Sequence, residues 1–175
     1  MRNLKLMMFF MAVATMPFFT SCSNDKDDDK GNADVSGTYT GKITVMMTAE
    51  TPNSVAVLKK TEEVYTLQLE KLNIVAPFPP GTEGSVVAIG DVSITNVKAA
   101  DGKLSGGDEK SISVTLPPAL ADMNDGVAEV TVKVSLTNGT VSGNNLKFTL
   151  NVEVPMKING VSTIMPVSVS FDGNK

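Results

Sequence analysis

The sequence predicts an all-β domain, an antiparallel barrel of about eight strands, with a curled two-sheet β-sandwich as the alternative. Three observations predict it. From residue 35 onward apolar residues recur at every second position, the period of a strand with one face in a core and one in water. Pairs rich in Asn, Asp and Gly punctuate these runs. No window of a dozen residues carries apolar side chains at helical spacing.

The elements follow in order. The first strand places Gly37, Tyr39, Gly41, Ile43, Val45 and Met47 on one face, with Thr38, Thr40, Lys42 and Thr44 on the other. A short second run is Val55-Ala56-Val57-Leu58, after which Lys59-Lys60-Thr61-Glu62 turns the chain. Val64–Leu72 comes next, with Tyr65, Leu67 and Leu69 inward; its phase slips near Glu70-Lys71, as a bulge would cause. Val86–Val97 alternates with a phase change around Gly90-Asp91, and Ile112, Val114 and Leu116 form the next stripe. Pro117–Met123 suits one or two helical turns with proline at the start. The two cleanest strands carry Val130, Val132, Val134, Leu136 and Leu146, Phe148, Leu150, Val152, Val154; the last carries Val167, Val169 and Phe171. Asp101-Gly102, Asn138-Gly139, Gly143-Asn144-Asn145 and Asn159-Gly160 are read as the turns, since each tolerates positive φ. Closing such strands into a barrel removes the edges that an exported β-protein must otherwise protect.

Val35-Ser36-Gly37-Thr38-Tyr39-Thr40-Gly41-Lys42, Val64-Tyr65-Thr66-Leu67-Gln68-Leu69, Ile89-Gly90-Asp91-Val92 and the Asn138-Gly139 hairpin together resemble the calycin-like β-barrel domain of Bacteroides lipoproteins, over most of residues 35–173. The resemblance implies a lipocalin-like barrel of about eight strands and names no activity for it. Tyr39 stands where true lipocalins carry the Trp of Gly-x-Trp. It is expected to be a core aromatic at the barrel bottom with its hydroxyl hydrogen-bonded, rather than a ligand contact.

The N-terminus reads as an export signal. Arg2 and Lys5 precede an apolar run from Leu6 to Phe19, which is shorter than the ~20 residues a spanning helix needs. Phe19-Thr20-Ser21-Cys22 resembles a lipobox, with Cys22 the residue that is cut before and lipidated. Cys22 is the single cysteine, so an intramolecular disulfide is impossible, and lipidation accounts for a lone thiol. The acidic stretch behind it has no apolar residue to fold around. Within it Lys26-Asp27-Asp28 resembles the surface-export signal of such lipoproteins. The expected organisation is a signal peptide at 1–21, a lipidated acidic tether at 22–34 and the barrel at 35–175. The expected address is the outer membrane, on the cell-surface side, with its periplasmic face as the alternative.

Composition narrows function. Arg2 and Lys5 leave with the signal, so the remainder holds 13 Lys and Arg against 19 Asp and Glu, a net charge of about −6. Such a chain offers nucleic acid no basic footprint. It has no histidine, which removes Ser-His-Asp and Cys-His systems and the commonest zinc ligand. Glu62-Glu63 and Asp108-Glu109 are adjacent in sequence at turn-like places; neighbours on a strand point to opposite faces, so the pairs do not converge and read as solvated turn charges. Asp122-Met123-Asn124-Asp125-Gly126 does not match the spacing of a calcium loop and reads as a polar turn. No cofactor and no catalytic or metal-binding residue is expected. The apolar loop Val75–Gly81 puts Phe78 near a barrel rim, as a plug, a lid or a partner contact. The function expected is noncatalytic: a membrane-anchored barrel that binds a small apolar ligand or a protein partner. The alternative is a structural or assembly subunit of a cell-envelope complex, and a carboxylate-dependent hydrolase is the remote third reading.

Overall fold

The alternating runs become nine strands among the residues described by a computed structural model, which are 34–46, 49–75 and 86–175. In chain order they are β1 (Gly37–Val45), β2 (Ala49–Thr61), β3 (Val64–Val75), β4 (Val86–Ala100), β5 (Lys103–Gly106), β6 (Lys110–Thr115), β7 (Glu129–Ser142), β8 (Asn145–Ile158) and β9 (Val161–Asn174). One short helix, α1 (Pro118–Met123), lies between β6 and β7, with proline at its first turn as expected.

All pairings are antiparallel, in the order β5-β4-β3-β2-β1-β9-β8-β7-β6, and β5 also pairs with β7. That last pairing closes a ring. β6 takes the first half of β7 (Thr115↔Glu129 to Lys110↔Val134), and β5 takes a later part (Leu104↔Gly139, Lys103↔Thr140). β5 and β6 therefore share one stave of an eight-stave barrel. The break between them is stitched to β4: the Asp108 N–H donates to the Thr95 carbonyl, and its Oδ2 accepts from Thr95 Oγ1 and Asn96 Nδ2, both at 2.7 Å. The sequence does not single out β5, which is only four residues long.

Bulges reset the inward phase. Lys71 (φ 52) is the extra residue between Leu69↔Val92 and Leu72↔Gly90, and its N–H donates to Asp91 Oδ1 at 2.9 Å. Gly90 (φ 81) returns the register on β4, so both expected phase changes are present. β2 is longer than its apolar core because Asn53 (φ 57) bulges between Thr51 and Ser54.

Two turn assignments are corrected. Lys59-Lys60-Thr61 belong to β2, and the chain reverses at Glu62-Glu63 instead. Asn138-Gly139 lies inside β7 and is not a hairpin. The register there slips between Leu136 and Asn138, which moves the inward phase from Val132 and Val134 to Gly139 and Val141. An Asn-Gly pair between alternating apolar residues has hairpin chemistry, but here β5 and β8 hold it from both sides. A Cβ on Gly139 would stand 2.9 Å from Leu104 Cβ, so the close approach that shuts the ring needs glycine.

The inward side chains form one buried cluster. Tyr39, Leu58, Leu67, Leu69, Leu72, Ile94, Leu150 and Phe171 are essentially inaccessible to solvent. Phe148 and Phe171 stack across β8 and β9 with centroids 5.0 Å apart. Each such side chain contributes about 1.5–3 kcal/mol of transfer free energy.

Candidate functional site: an apolar groove in the barrel wall

Strand direction defines two ends. Gly37, the turns at 62–63, 101–102 and 143–144, and Lys175 lie at the end where the chain enters β1. The end of β1, the start of β4, α1 and the β8–β9 turn lie at the other. Tyr39 sits near the entry end at 0 % exposure, its hydroxyl donating to the Val35 carbonyl at 2.7 Å. Lys175 places its ammonium 5.2 Å from the ring centroid. Tyr39 is thus the hydrogen-bonded core aromatic that was expected.

At the far end the wall splits. β7 and β8 pair only as far as Lys133↔Glu153. The next facing position on β8 is Pro155, which has no N–H to offer the ladder. β8 continues past the split as a ribbon with β9, paired from Pro155↔Ile164 to Ile158↔Val161. Asn159 (φ 52) and Gly160 (φ 80) close that hairpin.

A groove of about 690 Å³ fills the split, lined chiefly by Val127, Val130, Pro155, Met156 and Ile164, with Glu129 and Lys157 at its margin. A smaller hollow on the outer face shares Pro155 and Ile164 with it. Asn124, only 2 % exposed, spans the top: its Nδ2 donates to the Val127 carbonyl at 2.8 Å and its Oδ1 accepts the Lys157 N–H. Asp125 Oδ2 accepts the Gly160 N–H at 2.9 Å. The polar turn 122–126 is a clasp that fastens the ribbon to the end of α1. Asn124 Oδ1 and Asp125 Oδ2 are engaged with backbone N–H groups of the ribbon.

The exposed large apolar side chains among the described residues are Met46, Val86, Val127, Ile158, Val161 and Ile164, and strand direction puts all of them at this end. Ile164 is 59 % exposed and Val161 67 %. The sequence stripe for the last strand began only at Val167, so this patch was not anticipated. The available signals were Pro155 inside a clean strand and the distance from Val167 back to Asn159-Gly160.

The carboxylate pairs do not converge. Asp108 serves β4, while Glu109 pairs with Lys133 at 3.0 Å and holds that ammonium's pKa above its usual value. Glu62 and Glu63 form the β2–β3 turn. On the outer face Lys147 meets Asp172 at 2.7 Å, and this hydrogen bond, with a second from Asn145, holds the Asp172 carboxyl below the usual range. Among the described residues no group of three or more His, Cys, Asp and Glu is placed to hold a metal ion. Cys22, Lys26, Asp27, Asp28 and Phe78 lie outside the described residues; the strands that flank the Phe78 segment, β3 and β4, end and begin at the groove end.

The calycin-like beta-barrel domain family matches residues 35–174 of the chain. No curated protein and no solved structure matches it.

Proposed function

Because the chain belongs to the calycin-like β-barrel domain family, we propose that it is a noncatalytic binding module that takes a small apolar ligand in the wall groove between β7 and β8. The groove carries this reading: it is apolar, of ligand size, and edged by a few polar groups. The barrel centre is occupied by the protein's own side chains, so the binding surface moves from the lumen to the wall. The module is tethered at the outer membrane, on the cell surface, through lipid on Cys22. Arg2, Lys5, the apolar run and Thr20-Ser21-Cys22 support the anchor, and Lys26-Asp27-Asp28 supports the outward face. The groove lies at the end of the barrel away from Gly37, where the chain enters β1. The second reading, an envelope assembly subunit, is favoured by the uncovered apolar side chains of the β8–β9 ribbon.

A fluorescent apolar probe such as N-phenyl-1-naphthylamine tests the groove. Binding to the full chain should weaken at least tenfold in Val127→Asp and in Ile164→Asp, both exposed positions. Unchanged binding in both refutes the groove. The address is tested separately: Cys22→Ser should release the protein from membranes, and protease added to intact cells should digest the wild-type chain but spare a variant with Lys26, Asp27 and Asp28 all replaced by Ala.

A further inference from the structure

The β8–β9 ribbon has two edges, and they are treated differently. On the β8 edge Pro155 has no N–H and the Lys157 N–H is taken by Asn124. That edge is blunted. On the β9 edge β1 pairs only from Val169 to Asn174, and the Met46 N–H donates to the Ser168 carbonyl. Beyond it, among the described residues, no strand lies beside Val161–Val167 opposite β8. The Lys157 N–H faces away from β9, so Lys157↔Ser162 is a non-hydrogen-bonded pair and Ser162 turns its N–H and C=O outward. By the same alternation Ile164 does too, and Pro166 offers only a carbonyl.

Natural edges are usually protected by charge. Here the chain carries no charged residue between Lys157 and Asp172. The edge is also self-complementary. A two-fold axis at Thr163 sets Ser162 opposite Ile164 of a second copy, so each copy donates two main-chain hydrogen bonds and accepts two. Centring on Ile164 gives the same number of bonds, but it faces Ser162 with Pro166, whose missing N–H leaves that pair one-way. With the axis at Thr163, Val161 meets the second copy's Met165 on one face, flanking a Thr163–Thr163 pair. Such apolar and Thr–Thr cross-strand pairs are favourable.

We propose that the free edge of β9, Val161–Met165, pairs antiparallel with the same edge of a second copy of this chain. The ribbons then form one continuous sheet, with the entry ends of the two barrels at opposite extremes of the dimer. This edge shares Ser162, Thr163 and Ile164 with the groove, but the pairing uses their backbone groups and needs no bound ligand, so crosslinking is read without the apolar probe.

Disulfide trapping tests it in the chain as expressed. Thr163 faces its own copy as a non-hydrogen-bonded pair, the closer of the two antiparallel spacings and the one suited to a disulfide. Thr163→Cys should give a disulfide-linked dimer at least tenfold above that of Lys98→Cys, an exposed site near the other end, or of the wild type with Cys22 alone. Adding Ile164→Pro should return it to background. Light scattering of the purified full chain should show mass rising toward the dimer with concentration. No excess of Thr163→Cys dimer, adducts to a different protein, or a monomer at every concentration would each overturn the proposal.

Discussion

Asn124 and Lys157 are joined across thirty-three residues by a hydrogen bond from the Lys157 backbone N–H to the buried Asn124 side chain. With the bond from Asn124 Nδ2 to Val127, it holds the split end of the barrel together where strand pairing has stopped. Asn124→Ala should cost about 1–3 kcal/mol, the penalty for unpaired polar groups at a site that water reaches only in part. Hydrogen exchange should speed up at Lys157 and Gly160 while β1–β4 stay protected. Unchanged exchange at Lys157 would count against the clasp.

Tyr39→Phe removes only the hydroxyl that bonds Val35 and should lower stability by about 0.5–1.5 kcal/mol. Tyr39→Ala also empties a core position and should cost about 3–5 kcal/mol. Urea midpoints should fall in that order with an unchanged slope. Equal losses would mean that the ring contributes nothing beyond its hydroxyl.

Ring closure depends on the contact of Gly139 with Leu104. Gly139→Val should force β5 off β7, at a cost of about 1–3 kcal/mol from overpacking. Amides of Lys103–Gly106 should lose protection first. Uniform loss across the barrel would argue against local opening.

Asp172 has a folded pKa below its unfolded value because Lys147 and then Asn145 hydrogen-bond the carboxylate. The stabilisation is fully present above the unfolded pKa of about 3.9 and disappears as pH falls through the folded pKa. Asp172→Asn should flatten that part of the acid limb and change little near pH 7, since an exposed pair contributes less than about 1 kcal/mol. Wild-type and variant curves that stay parallel from pH 5 to pH 2 would refute the assignment.

Much of the barrel was legible because period-two alternation is a local property. Tyr65, Leu67 and Leu69 face inward in the chain as they do in the pattern, and the slips at Lys71 and Gly90 showed as breaks in that pattern. Asn138-Gly139 misled for the same reason. The pair has turn chemistry, but whether it turns depends on β5 and β8 beside it, which are remote in sequence. The groove was invisible because it arises from a pairing that ends: Pro155 declines the bond that would have continued β7 and β8, and Asn124 bridges the gap from another element.

By itself the sequence determined that the chain is all-β, where most strands run and which side chains face inward, because strand period and bulge phase are written in adjacent residues. Only the tertiary structure decided that β5 and β6 share a stave, that the ring closes on Gly139 and that an apolar groove opens at the far end. Those outcomes depend on which strands lie side by side and where their hydrogen bonding stops, and that is settled by long-range register.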